Sequence, residues 1–358
     1  MKKLKLSEKS NEWLNLCLNS RCNYCRENCS VYDLTKMEFD SPRAKIELIS
    51  DVLSGRANCK DVMRILDRCT GCKKCLYSCP HGVDTAKIID EFKNLIKDSE
   101  FKKNKKKFVI KTSYPIRWVD EFIKNKNPYG VEKQESWDKE DVEIIFFPGC
   151  TALYNNKELI ERTRLILDKL GIKCREANNC CYSPLKPYGF SSKEISELFS
   201  NDDKTGDKEI VVICAGCYDS LKNDHKKNVI HITDFLMKHI NKLNLKSGKK
   251  ARIAYHDPCK IGRYNKIYDS PRSILKAIKG VTIKEIENNK ENSMCCGGGG
   301  ALNRYNPELS AEMSKKIFER IQDADVIVTS CTFCKEQLSK NSKIPVKHIV
   351  ELVAESMD

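Results

Sequence analysis

The chain has 358 residues, 40% of them hydrophobic, and its 64 basic against 50 acidic side chains give a formal net charge of +14. That length allows two or three domains of ordinary size, with enough apolar content for buried cores. Twenty cysteines in a chain of this length, without a secretory start, exclude a small disulfide-stapled scaffold. No stretch approaches the roughly 18 to 20 apolar residues of a spanning helix. The start, MKKLKLSEKSNEWLNL, is basic but has no continuous apolar segment before a small-residue cleavage site. The expected address is a reducing cytoplasm, or a peripheral position on the cytoplasmic face of its membrane.

Residues 1–98 read as helical. AKIELISDVL (44–53) and TAKIIDEFKNLIK (85–97) both space apolar residues three and four apart. Residues 99–141 are charged and broken by Pro115, Pro128 and Gly130, as a connector is. They include the basic run Lys102, Lys103, Lys105, Lys106 and Lys107, read as solvated surface; an acidic protein partner or anionic lipid is the alternative. No base-reading motif accompanies the charge, so nucleic acid is not expected as a partner.

From residue 142 short apolar runs alternate with helical segments. EIIFF, EIVVI, RIAYH and DVIVTS read as buried strands; NKELIERTRLILDKL, SPRSILKAI and NPELSAEMSKKIFERI read as helices. The segment is an internal repeat. Cys214 to Cys331, Cys217 to Cys334 and His231 to His348 are each 117 positions apart, whereas Cys150 to Cys259 is 109 and Cys180 to Cys295 is 115. The expected fold is therefore α+β overall: a mainly α-helical front, then two repeated small α/β lobes with parallel sheets, at 142–247 and 248–358.

Eighteen cysteines fall into four metal-sized sets. Cys69, Cys72, Cys75 and Cys79, followed by Pro80, have the bacterial ferredoxin spacing, in which the fourth cysteine ligates the other cluster. Zinc is the alternative. In the first set, Cys22, Cys25 and Cys29 fit the last three positions; Asn19 stands at the first, so Cys17 is taken as the ligand with a wider loop. The alternative there is a three-cysteine cluster with a labile iron. Crossed ligation then groups Cys17, Cys22, Cys25 and Cys79 on one [4Fe-4S] cubane, and Cys69, Cys72, Cys75 and Cys29 on the other. Arg43, in DSPRAKIEL, starts a helix where structural and tuning roles are not separable.

The third set is Cys150, Cys180, Cys181, Cys214 and Cys217; the fourth is Cys259, Cys295, Cys296, Cys331 and Cys334. The phrases DPC259, CCGGGG and SC331TFC334 resemble the CCG cysteine-rich motif. Two copies behind a two-cluster ferredoxin domain resemble the D-type subunit of heterodisulfide reductase. The layout is also similar to the iron–sulfur subunits of glycolate oxidase and anaerobic glycerol-3-phosphate dehydrogenase. NPYG (127–130) resembles the same group.

The resemblance implies a noncubane [4Fe-4S] cluster on the five cysteines of the second lobe, with Gly297 and Gly298 allowing close backbone approach, and zinc as the alternative. The first lobe keeps all five positions but has CCY where the family has CCG. That lobe is read as holding a second noncubane [4Fe-4S] cluster, but Tyr182 is bulky and disfavours a left-handed backbone, so a distorted cluster, zinc or an empty site is the alternative. Cys174 reads as a small buried hydrophobe, and Cys59 has no assigned role.

His256, with Asp257, precedes Cys259 and is the candidate to supply a proton to a leaving thiolate; the alternative is that the two orient the loop. His231 and His348 read as structural, and His81 as surface. Three functions follow. One is an oxidoreductase that reduces a disulfide or oxidises thiols. The second is an electron relay for a flavoprotein partner, oxidising a hydroxy acid or glycerol 3-phosphate, with a quinone or carrier as acceptor. The third is a redox or metal sensor. GGGG at 297 opens no βαβ nucleotide site, so a flavin or nicotinamide would sit on a partner.

Overall fold

The computed structural model describes residues 4–103, 116–131, 142–246 and 250–357. Lys105, Lys106, Lys107, Pro115 and the expected domain borders at 141 and 247 lie outside them. The chain divides into two compact units. One comprises Met1–Asp120, Pro184–Ile195 and Met294–Ser314; the other comprises Glu121–Ser183, Ser196–Ser293 and Lys315–Asp358. No helix among the described residues is long and apolar enough to cross a membrane.

The first unit is helical because its apolar residues recur at helical spacing between strong start signals. Ser41 caps the helix Pro42–Leu53, its hydroxyl accepting from the Ala44 N–H at 3.1 Å, and Pro42 sits in the first turn. That helix buries Ile46 and Ile49; the helix Thr85–Lys103 buries Ile88, Ile89, Phe92 and Ile96. With Leu66 and Val62 they form one core. The two later excursions of the chain add aromatic contacts to this unit: Tyr188 stacks on Trp118 at 4.9 Å, and the Arg304 guanidinium lies 4.0 Å from the Trp118 ring centre.

Among the described residues, the second unit holds two four-stranded sheets. The first has β1 (Ile144–Phe147), β2 (Cys174–Glu176), β3 (Ile210–Val212) and β4 (Val229–His231), in the order β2-β1-β3-β4. The second has β5 (Ala251–His256), β6 (Val281–Glu285), β7 (Val326–Thr329) and β8 (Val346–His348), in the order β6-β5-β7-β8. Every pairing is parallel. The expected α+β architecture, with a helical front and two repeated parallel lobes, is the one observed. The apolar runs recognised in the sequence are the central strands β1, β3, β5 and β7. The edge strands are shorter or half exposed, so their composition is less distinctive.

The two lobes share one core, in which Phe146, Val211 and Ile166 meet Tyr255, Val328 and Ile349. Their helices exchange places reciprocally. The helix Ile349–Glu355, which ends the second lobe, packs on Glu158–Lys169 of the first; Ile232–Lys238, which ends the first, packs on Asp269–Ala277 of the second. Such self-complementary packing is what a twofold repeat produces.

Candidate metal and thiol centres

In the first unit the front cysteines come from tight backbone features. Cys17 lies in the helix Glu8–Ser20, and Cys22 follows Arg21, whose φ is +51°. Cys29 precedes the helix Ser30–Thr35, and Cys75 sits in the short helix Lys74–Tyr77. Their electrostatics sort them into two groups. Burial pushes Cys17 up to about 11, with the Arg43 cation opposing and Cys79 and Cys22 adding repulsion. Burial pushes Cys25 up to about 12, with Cys17, Cys79 and Cys22 adding to it. Cys69 goes up to about 11 through burial, opposed by Lys45 and reinforced by Cys29 and Cys72. Cys75 goes well up through burial, with Cys72, Cys69 and Cys29 as its main repelling neighbours. Cys79 thus keeps company with the first run and Cys29 with the second.

Thiols this buried and mutually repelling cannot ionise together unless a cationic group sits among them. The donor set fits iron–sulfur groups in number, chemistry and grouping.

The first-lobe cysteines all lie in the second unit, two of them where parallel strands end. Cys150 opens the helix Cys150–Asn155 after β1, and Cys214 precedes the helix Ala215–Asn223 after β3. Gly149 has φ +78°, and a Cβ there would stand 2.8 Å from Cys217 Sγ, so the position needs glycine. Cys150 Sγ and Cys180 Sγ are 3.3 Å apart. From there the sulfurs act on one another's ionisation in an unbroken series: Cys180 with Cys181, Cys181 with Cys217, Cys217 with Cys214, and Cys214 with Cys331 and Cys334 beyond it in the second lobe.

Hydrogen bonds from their neighbours hold the Cys181 and Cys214 thiols well below the usual range. Cys180, chiefly through burial, and Cys217 and Cys331, chiefly as the flanking donors, are pushed above it.

Tyr182 takes the conformation that its type disfavours. Its φ is +54°, in the same left-handed region as Gly297 (φ +88°), the residue that follows the second pair. Its N–H donates to Cys180 Sγ at 3.3 Å, and its ring is buried and stacks parallel on Phe122 with centres 5.8 Å apart. Aromatic packing thus offsets the cost of a left-handed tyrosine, and the backbone of the Cys180–Cys181 pair keeps its turn.

In the second lobe, Cys259, Cys331 and Cys334 lie in the second unit, while Cys295 and Cys296 belong to the first. Cys331 precedes the helix Thr332–Ser339, as Cys214 does its own. His256 ends β5 and is buried; one of its ring nitrogens lies within 4.8 Å of Cys334 Sγ. Among the described residues, His256 Nδ1 has no hydrogen-bond partner. Asp257 is committed to the loop: Arg272 grips both carboxylate oxygens at 2.8 Å, and the Lys290 N–H donates to one at 2.8 Å.

In the first unit, Cys295 packs with Val31, Leu302, Leu309 and Met313 against Cys29, Leu34 and Cys72. The glycines after the pair make their close approaches to protein backbone. A Cβ on Gly297 would meet Ser310 O at 2.5 Å, one on Gly299 would meet Thr70 O at 2.4 Å, and one on Gly300 would meet Cys69 O at 2.1 Å. Gly298 has ordinary right-handed angles (φ −78°, ψ −20°).

His231 and His348 cap helices, each ring accepting a backbone N–H two residues on. His81 is exposed, and Cys174 lies in the shared core. Sequence reasoning missed His225. Its Nε2 sits 2.9 Å from the Cys181 carbonyl, which also accepts from Ser220 Oγ at 3.1 Å, and its ring stacks on Phe199 at 4.2 Å. In the polar stretch KNDHKKN nothing marks it.

Two family models match the chain: a 4Fe-4S dicluster domain at residues 14–83, and a cysteine-rich domain at 144–222 and again at 253–339. The D-type subunit of the dihydromethanophenazine:CoB–CoM heterodisulfide reductase of Methanosarcina barkeri is 33% identical over 327 residues, which cover 81% of this chain and 77% of that protein. Its counterpart in Methanosarcina mazei is 29% identical with the same coverage of both chains. An EtfAB:quinone oxidoreductase of Syntrophomonas wolfei is 27% identical over 77% of this chain but only 43% of its own length.

Proposed function

The chain belongs to the family of heterodisulfide reductase D-type subunits, and from that membership we propose that it reduces a disulfide, or in reverse oxidises two thiols, at its cysteine-rich lobes. At the coarser level it is an iron–sulfur electron-transfer component of an oxidoreductase. The observation that carries the proposal is the continuous run of sulfurs from Cys150 to Cys334 through the Cys214–Cys331 contact. It supports a thiol chemistry shared by the two lobes.

In this reading the modules are 1–98, 99–141, 142–247 and 248–358. Cys17, Cys22, Cys25 and Cys79 hold one cubane, and Cys69, Cys72, Cys75 and Cys29 the other. Cys150, Cys180, Cys181, Cys214 and Cys217 hold a metal group in the first lobe. Cys259, Cys295, Cys296, Cys331 and Cys334 hold the reactive noncubane [4Fe-4S] group, with Gly297 and Gly298 beside it. When bound, iron–sulfur groups take up and release one electron at a time.

Disulfide reduction consumes two electrons and two protons and releases two thiols. The protein therefore has to place a proton donor and keep water away. His256, buried within 4.8 Å of Cys334 Sγ, is the donor for a departing thiolate. Arg272, through Asp257, fixes the loop that follows it.

A second reading is a relay between a flavoprotein partner and a quinone, which the similarity to the EtfAB:quinone oxidoreductase of Syntrophomonas wolfei favours. The test is to offer a panel of thiol disulfides to anaerobically purified protein with a reduced viologen as donor. Disulfide-dependent oxidation of the viologen supports the reductase. No oxidation with any disulfide, together with substrate-dependent bleaching through a co-purified flavoprotein, supports the relay.

A further inference from the structure

The helix Pro42–Leu53 presents two cations, Arg43 and Lys45, to the two front cysteine groups, and their settings differ. Arg43 is on the side of the first group. It donates to the Cys22 carbonyl at 3.1 Å, and its charge is answered by Glu47 at 2.8 Å, a carboxylate that is 46% exposed. Lys45 is buried, with its side chain 2% exposed. Its ammonium donates to the backbone carbonyl of Asp40, the same oxygen that Cys29 Sγ approaches to 3.8 Å. Its charge acts on both Cys29 and Cys69, opposing what burial does to them.

Asp40 does not cancel that charge. Its carboxylate is fully buried, and Arg68 grips it with bonds of 2.7 Å to each oxygen, while Thr35 Oγ1 donates at 2.8 Å. The Lys45 ammonium stands 3.8 Å from the nearer oxygen. Two cations thus face one carboxylate, which leaves one positive charge in a dry region beside Cys29 and Cys69. A buried charge is poorly screened, so it favours the added electron of any redox group that those thiolates hold. Cys295 packs on the same side, against Cys29 and Cys72.

We propose that Lys45 sets the reduction potential of the iron–sulfur group held by Cys29, Cys69, Cys72 and Cys75 above that of the group held by Cys17, Cys22, Cys25 and Cys79. This makes the group beside Cys295 the one on which an electron rests. The inference depends on the crossed ligation given above and concerns only Lys45 and its neighbours. No bond forms or breaks; one group gains the electron that the other loses.

The experiment is a redox titration of the anaerobically purified full chain, followed by electron paramagnetic resonance, with iron and sulfide counted on every sample. Cys29→Ser and Cys79→Ser assign the two signals. Lys45→Met should lower the midpoint of the Cys29 signal by at least a tenfold change in the oxidised-to-reduced ratio, about 59 mV for one electron, and leave the Cys79 signal in place. Lys45→Arg should restore it. Asp40→Asn, which removes the neighbouring negative charge, should move the same signal upward, and it decides the matter if Lys45→Met loses iron. Unmoved midpoints, or equal shifts of both signals, in variants with wild-type iron content would overturn the role of Lys45 and leave the ligation standing. Wild-type protein without two front [4Fe-4S] signals would overturn the ligation and the proposal with it.

Discussion

Cys214 and Cys331, equivalent positions of the two repeats, act on each other's ionisation through their sulfurs. Each stands where a central strand gives way to a helix, and within the pair Cys214 is held well below the usual thiol range while Cys331 is pushed above it. The contact joins the two cysteine sets into one. Cys331→Ser should therefore disturb both lobes. We expect disulfide-dependent viologen oxidation to fall by more than the roughly 10- to 100-fold that outer partners of metal ligands cost. Front-cluster resonance signals should stay unchanged. Full activity in Cys331→Ser would remove the sulfur run from the chemistry.

Iron content tests the first lobe. Tyr182 keeps the left-handed turn of the cysteine pair, and the sulfurs beyond it remain in contact. Four [4Fe-4S] groups would give about sixteen irons per chain, and that is the expected count, with no zinc. A count of about twelve would mean that the first lobe takes no cluster.

Tyr182→Gly relieves a left-handed tyrosine, worth about 1–2 kcal/mol. It also deletes a buried ring stacked on Phe122, and truncating a large aromatic costs about 3–5 kcal/mol. The second effect wins. The thermal midpoint of Tyr182→Gly should fall, whereas Tyr182→Phe should stay close to wild type. A midpoint that rises in the glycine variant would mean that strain dominates.

Gly300→Ala places a methyl group 2.1 Å from Cys69 O at φ +61°. The Cys69 loop has to move, and about four irons per chain should be lost with the group it holds. Gly55→Ala is the control. Gly55 also has a positive φ (+79°), but nothing lies within 4 Å of an added Cβ. That variant bears the strain alone, and its iron content should stay whole.

Acid should destabilise the second unit through His231 and His348. Burial lowers their pKa values from 6.5 to about 3 and about 4, and each neutral ring accepts a helix-capping N–H. Below pH 6.5 the unfolded chain binds the protons that the folded one refuses, so stability falls as pH falls. Each histidine contributes about 1.4 kcal/mol per pH unit between its unfolded and its folded value. His348→Gln should flatten the dependence of the urea midpoint between about pH 6 and 5. An unchanged slope would show that His348 is already charged in the folded state.

Much of this protein is legible in one dimension because its chemistry is repetitive. Cysteine spacing marks the metal sets, since a chain that wraps a small cluster must return a thiol every few residues. Central strands are readable because parallel strands buried on both faces are apolar throughout, as in IIFF and VIVT. The repeat is readable from equal offsets between Cys214, Cys217 and His231 and their partners.

Tertiary structure decided what depends on who meets whom. The sequence marks Tyr182 as unfit for its position, and only the Phe122 ring beneath it explains why it is tolerated. It places GGGG next to a cysteine pair, but the partners of Gly299 and Gly300 are the backbone of Thr70 and Cys69, far earlier in the chain. Lys45 reads as one more basic residue among 64, yet it is buried beside Cys29. Local spacing records which atoms a residue offers. Burial, charge balance and close approach arise only when distant segments pack, and they decide what those atoms do.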